Sequence, residues 1–232
     1  MLTLLTFAKG FGLYSLSPFC VKAAYLLQAS GQQWQREDLV EPSEMPHRKL
    51  PVLRTDNGLI GDSEAIRVWL ESKGADFDPG LSDLQKAWSR AMIRMADEHL
   101  YFHMVMDRWG NDEGWPTIRD QLFGAIPEPA RGPVADGIRA GLLTGLETQG
   151  IARFSSQERL DLVERDLQAI ATIVGQSPFL FGDHPTAADM SVAPVLEAIS
   201  ATPERSALVK RVANDVVLAE YITRMTNAIP LP

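Results

Sequence analysis

Apolar residues in the first third of the chain follow two rhythms. Leu2-Thr-Leu-Leu-Thr-Phe7 is a short apolar run without a breaker, the signature of a buried central strand. A loop follows from Ala8 to Leu16, interrupted by Gly10 and Gly12. Ser17-Pro18 then opens a helix, with Ser17 at the N-cap and Pro18 in the first turn. Val21, Ala24, Tyr25 and Leu27 recur at helical spacing until Gly31 ends it. Gln32 to Val40 alternates weakly and predicts a second, parallel strand, which completes a βαβ unit. Leu50 to Thr55, the turn Asp56-Asn-Gly58, and Leu59 to Gly61 read as a β-hairpin. Asp62-Ser63 caps a helix over Glu64 to Ser72, whose Ala65, Ile66, Trp69 and Leu70 form an apolar stripe.

Beyond Asp78-Pro79-Gly80 the period becomes helical and no strand pattern returns. Leu81 to Trp109 predicts one long helix, with Trp88, Met92, Met95, His99, Phe102 and Met106 on a common side. The Gly- and Pro-rich stretch Asn111 to Gly150 predicts short, broken helices. Ser155-Ser-Gln-Glu158 is a capping box opening a helix to about Val174, and Thr186-Ala-Ala-Asp189 is another. The second box leads into an apolar, central helix from Met190 to Ile199, and an amphipathic segment runs from about Ser206 to Met225. The expected architecture is an α/β domain over residues 1–76 followed by an all-helical domain over 81–232.

Composition narrows the partners. With 45% hydrophobic and 22% charged residues in 232, the chain can bury a substantial core. A formal charge of −8 with no basic run argues against nucleic acid or anionic lipid as a partner. The single cysteine, Cys20, excludes an intramolecular disulfide, and no stretch has the apolar length of a membrane span. The expected compartment is the cytoplasm.

Three segments should end at one edge of the sheet: the start of the first helix at Ser17, the turn before Pro51, and the helix start at Asp62-Ser63. Ligands of open α/β sheets sit outside the carboxyl ends of the strands, where loops meet helix N-termini. Ser17-Pro-Phe-Cys20 has the spacing of a dithiol redox motif with serine in place of the first cysteine. Serine cannot run dithiol exchange, but it can donate a hydrogen bond to a bound thiolate, aided by the helix dipole. Lowering a thiol's pKa a hundredfold in acidity takes about 2.7 kcal/mol. A charge-assisted hydrogen bond of roughly 1.5–3 kcal/mol and a helix end of roughly 0.3–1 kcal/mol reach that. Leu50-Pro51 offers a bent backbone to an extended peptide, and Asp62-Ser63 can take the ammonium and carboxylate of an amino-acid head group. Together these fit a γ-glutamyl tripeptide with its sulfur at Ser17, and Ser15 is the alternative hydroxyl.

Ser15-Leu-Ser-Pro-Phe-Cys-Val-Lys22, Lys49-Leu-Pro-Val52 and Asp62-Ser-Glu-Ala-Ile66, in this order, resemble the thioredoxin-like domain of the glutathione S-transferase superfamily. More narrowly, Ser15-Leu-Ser-Pro-Phe-Cys-Val-Lys22, Glu98-His-Leu-Tyr101, Arg108-Trp109, Gln149-Gly-Ile-Ala-Arg153 and Pro178-Phe-Leu-Phe-Gly-Asp-His-Pro-Thr186 are similar to its failed-axon-connections branch, which is related to metaxins. The resemblance implies that Ser17 activates the thiol, that Lys49 and Leu50 lie along glutathione with Pro51 cis, and that Asp62 and Ser63 take the γ-glutamyl end. It implies conjugation to a small hydrophobic electrophile and a homodimer, with a non-catalytic scaffold as the alternative.

Other residues have simpler expectations. Cys20 should pack inside as a small hydrophobe. Thr186 and Asp189 match a structural cap. Tyr101, Arg108 and Trp109 are expected to wall the electrophile pocket, with a seam between the domains as the alternative reading. His99, His103 and Asp107 recur at a spacing that can hold a metal, but without recognisable supporting partners the expectation is no metal.

Overall fold

The computed structural model describes residues 1–203 and 206–232. A four-stranded sheet in the order β2-β1-β3-β4 forms the first layer. Strand β1 (Leu2–Thr6) runs parallel to β2 (Trp34–Asp38) and antiparallel to β3 (Val52–Thr55), which forms a hairpin with β4 (Gly58–Gly61). Helix α1 (Pro18–Ala29) makes the crossover from β1 to β2, and α2 (Ser63–Ser72) follows β4.

A helical domain follows: α3 (Asp83–Met95), α4 (Tyr101–Gly110), α5 (Trp115–Phe123), α6 (Arg131–Gln149), α7 (Ser156–Val174), α8 (Ala187–Ser200), α9 (Ala207–Ala213) and α10 (Val216–Ala228). Every residue of α8 except Glu197 and Ser200 is buried, and the helix packs against α1, so one apolar core spans both domains. Among the described residues no helix is long and apolar enough to cross a membrane.

The helical domain departs from the sequence pattern in three places. The long helix from α3 to α4 is continuous but contains a π turn at Ala96–Leu100. One widened turn shifts the phase of everything after it. The buried face is Ser89, Ile93, Ala96, Leu100 and Met104, while Trp88 is 56% exposed and Met92, Met95, Phe102 and Met106 flank the core. The stretch expected to hold broken helices contains α6, nineteen residues long. Its Gly132, Gly137, Gly141 and Gly145 face open space, and Pro133 lies in the first turn, where proline removes no intrahelical bond. The C-terminal segment is two helices, broken where the Asp215 side chain caps α10 by accepting from the Leu218 amide.

Candidate functional site

The strand register brings the predicted segments together. Leu5, next to the end of β1, pairs with Val52 at the start of β3, and Val52 pairs with Gly61 at the end of β4. The loop after β1, the Leu50-Pro51 turn and the Asp62-Ser63 helix start thus share one edge. Leu50-Pro51 is a cis peptide, and the Pro51 carbonyl accepts a 3.2 Å hydrogen bond from the Asp62 amide. Beneath this edge Cys20, Leu5, Leu50 and Val52 form a small apolar cluster that seats the first turn of α1 on the sheet.

Ser17 is the N-cap residue of α1, yet its side chain makes no capping bond. The residue is partly exposed, and its hydroxyl lies against the Cys20 sulfur. Burial pushes the Cys20 thiol up, opposed by hydrogen bonds from the Thr6 hydroxyl, the Phe7 backbone, Ser17 and Ser15. Cys20 is therefore a protonated, fully buried thiol. Ser15 is buried and otherwise engaged: its Oγ donates to the Phe7 carbonyl at 2.9 Å and accepts from Thr6 Oγ1 and from the Ser17 amide. Of the two candidates, Ser17 is partly exposed with its hydroxyl beside the Cys20 sulfur, and the buried Ser15 Oγ accepts from the Ser17 backbone amide behind it.

The loop between β1 and Ser17 is held from two sides. Arg36 on β2 donates to the carbonyls of Tyr14 and Phe7 and lies over the Tyr14 ring at 4.3 Å. Arg108 on α4 donates to the Leu16 carbonyl at 3.2 Å, and its other nitrogen donates to Ala198 O and Thr202 Oγ1. The loop turns tightly at Phe11 and Gly12, with φ of 55° and 78°. A bulky residue in the left-handed region is strained, and Phe11 packs where α4 and α5 meet.

At the helix start of α2, Asp62 has φ 84° and ψ 134°, a region strained for any residue but glycine. Its Oδ1 accepts from the Glu64 and Ala65 amides at 2.8 and 3.3 Å, and the side chain is exposed. Ser63 is buried at the tip. Lys49 is exposed and Leu50 buried, on either side of the bend that leads to Pro51.

An ion network not anticipated from the sequence lies behind this tip. Lys22, 1% exposed, bonds Asp97 in the π turn at 2.8 Å and approaches Glu64 at 3.7 Å. Glu64 also meets Arg67 and Arg90. Burial raises the Asp97 carboxyl against the pull of Lys22, whereas at Glu64 the cations Arg67 and Lys22 outweigh burial and hold the carboxyl below its usual range. The network ties α1 and α2 to the helical domain, and the lysine in Ser17-Pro-Phe-Cys-x-Lys22 was its only sequence signal.

On the helical side, Tyr101 packs against Phe19 with ring centroids 4.6 Å apart and planes tilted by 57°. Trp109 instead joins Trp115 and Phe123 at 5.4 and 6.2 Å, a cluster that Phe11 also touches. His99 bonds Asp166 through Nδ1 and meets His103 Nε2 at 3.2 Å, but Asp107 accepts from Ser206 Oγ at 2.7 Å instead of completing the set. Among the described residues no group of three or more acidic, histidine or cysteine side chains converges to hold a metal.

A four-stranded α/β domain with a serine-tipped first helix and a cis-proline turn, joined to a helical domain, defines a glutathione transferase fold. Family models of the glutathione S-transferase N-terminal domain match residues 18–115 and of its C-terminal domain residues 153–227, and the chain belongs to this superfamily. It is 29% identical over 97% of its length to isoprene-epoxide glutathione S-transferase of Rhodococcus sp. (strain AD45), covering 98% of that protein. It is 25% identical over 92% of its length to Failed axon connections of Drosophila melanogaster, spanning 54% of that protein. Human metaxin-2 is 23% identical over 63% of the chain, which spans 56% of it. Among solved structures, a glutathione S-transferase of Ceriporiopsis subvermispora in complex with glutathione superposes with a TM-score of 0.64 at 17% identity, over 100% of this chain and 98% of that one. A glutathione transferase of Phanerochaete chrysosporium gives 0.67 at 16%, over 100% and 99%.

Proposed function

We propose that this chain binds glutathione along the Leu50-Pro51 bend and conjugates it to small hydrophobic electrophiles. Lys49 and Leu50 flank the tripeptide, Asp62 and Ser63 take the γ-glutamyl head group at the α2 tip, and the sulfur rests at Ser17. The observation that carries this reading is Ser17 at the α1 N-terminus: the residue is partly exposed, and its side chain makes no capping bond to its own helix. A hydroxyl so placed can donate to a thiolate, and the α1 N-terminus adds favourable potential. The chemistry is nucleophilic attack by a positioned, partly desolvated thiolate. Tyr101, partly exposed, walls the cleft in which the electrophile meets it, whereas Arg108 is buried and holds the Leu16 carbonyl instead of lining the pocket. The Rhodococcus relative's epoxide supports a small epoxide as the first substrate to try. The protein acts as a homodimer in the cytoplasm and takes no metal.

Glutathione binding raises the melting temperature, by an amount set by concentration over dissociation constant. Ser17→Ala keeps most of that shift while cutting turnover of an aryl halide roughly 10²-fold. Unchanged turnover in Ser17→Ala moves the role to another group. A second reading, a non-catalytic scaffold, is favoured by the likeness to metaxin-2. Absence of any thermal shift at millimolar glutathione selects it.

A further inference from the structure

The apolar interior of the helical domain is divided. One core runs through both domains, and a second, small cluster of Trp115, Ile118 and Ala135 joins α5 to the first half of α6. Phe11 and Trp109 pack against both and form the seam between them. Helix α6 straddles that seam. Its Ala135 belongs to the small cluster, whereas Leu142, Leu143 and Leu146 rest on the main core. Gly137 and Gly141 lie between these anchors and face open space, so no packing contact requires glycine there. Each weakens the helix interior about fivefold relative to alanine. Between them, Arg139 donates to the Trp109 carbonyl at 2.8 Å, a pivot that keeps α6 on the end of α4.

The small cluster reaches Ser17 through one residue. The loop before Ser17 is a braced hairpin: the Leu16 amide donates to the Ala8 carbonyl at 3.1 Å, and Gly10 and Leu13 pair across it. Phe11 and Gly12 form its two-residue turn, both with positive φ. Asn and Gly suit such a turn, whereas a bulky side chain holds that conformation only where its surroundings fix it. Here the small cluster on α5 and α6 supplies the surroundings, and Gln121 on α5 lies close beside Gly10. A braced hairpin passes a displacement of its tip back to Leu16 and Ser17.

We infer that α5 and the first half of α6, residues 115–136, form a lid that opens separately from the rest of the fold, and that Phe11 couples its docking to the Ser17 loop. The inference rests on the transferase reading above. With the lid docked, the Phe11 ring is held and the loop presents Ser17 to the sulfur. With the lid undocked, Phe11 loses its pocket, its backbone relaxes, and the cleft opens to admit the electrophile and release the conjugate. Opening breaks a cluster of three buried residues and leaves the main core whole.

The test is native-state hydrogen exchange on the full chain, resolved by peptide. Protection over residues 115–136 should lie at least about 10²-fold below that of β1 and α8; equal protection overturns the lid. Gly137→Ala combined with Gly141→Ala should raise protection over 115–136 roughly 25-fold, and protection over residues 8–17 should rise with it. An unmoved 8–17 overturns the coupling. Phe11→Ala should lower lid protection at least about 10-fold while β1 and α8 keep theirs; no change overturns the latch. S-hexylglutathione, which fills the sulfur and electrophile positions together, should raise lid protection about 10-fold at ten times its dissociation constant. A raised melting temperature without lid protection overturns the lid and leaves the transferase reading intact. Neither response overturns both.

Discussion

Two helix N-termini in this molecule carry the same chemistry and have opposite fates. At α8, Asp189 is fully buried and its two oxygens accept from the Leu180 amide, the Tyr221 hydroxyl, and the amide and hydroxyl of Thr186, all within 2.7–2.9 Å. At α2, Asp62 is exposed, both its capping bonds fall on one oxygen, and its backbone is strained. A saturated, buried carboxylate has nothing left to offer a ligand and stabilises the fold. An open carboxylate on a strained tip stabilises little and stays available. The same helix-end physics thus yields a saturated structural lock in one domain and an open, exposed carboxylate in the other, the one proposed above to take the γ-glutamyl end.

The largest effect should come from breaking the lock. Asp189→Ala leaves buried donors without acceptors and should cost roughly 3–5 kcal/mol, read as a lowered denaturation midpoint in urea. A loss under about 1 kcal/mol would show that water substitutes for the carboxylate and would dissolve the contrast. The helical domain carries a second lock of this kind. Burial first, then His99 and Arg159, push His103 down to about 4 from an ordinary value near 6.5. The unfolded chain takes up the proton first as pH falls, so this contribution is present above pH 6.5 and is lost toward pH 4. Between pH 7 and 5 the difference is about 2 kcal/mol, and His103→Asn should flatten the acid limb by that amount. An unaltered limb would mean His103 titrates normally.

The smallest stability effect belongs to the α2 tip. Asp62→Gly removes a cap but also relieves the backbone, so stability should stay within about 1 kcal/mol of wild type. The glutathione-induced thermal shift should nevertheless shrink. Loss of stability with an intact shift would make Asp62 a structural cap like Asp189.

Much of this was legible in the chain because it is locally encoded. The β1 run, the Asn57-Gly58 hairpin turn, the Ser155 and Thr186 boxes and the Ser17 and Asp62 helix starts each depend on residues a few positions apart. The meeting of the three segments at one edge was legible for the same reason, since topology alone brings them together. What escaped depends on contacts distant in sequence. The π turn places Asp97 against Lys22, seventy-five residues away, and no local period announces it. The α6 helix forms through glycines that local propensity counts against. Arg36, which holds the loop before Ser17, comes from a strand with no motif around it, and Arg108, though singled out in the sequence, reaches the Leu16 carbonyl ninety-two residues away.

The central claim is that the Ser17 hydroxyl, spared from capping α1, stabilises a thiolate. The direct measurement is an ultraviolet titration of glutathione bound to wild type and to Ser17→Ala. The account predicts a bound thiol about a hundredfold more acidic than free glutathione in wild type, with most of that acidity gone in the variant although glutathione still binds. Identical titrations in the two proteins would contradict it.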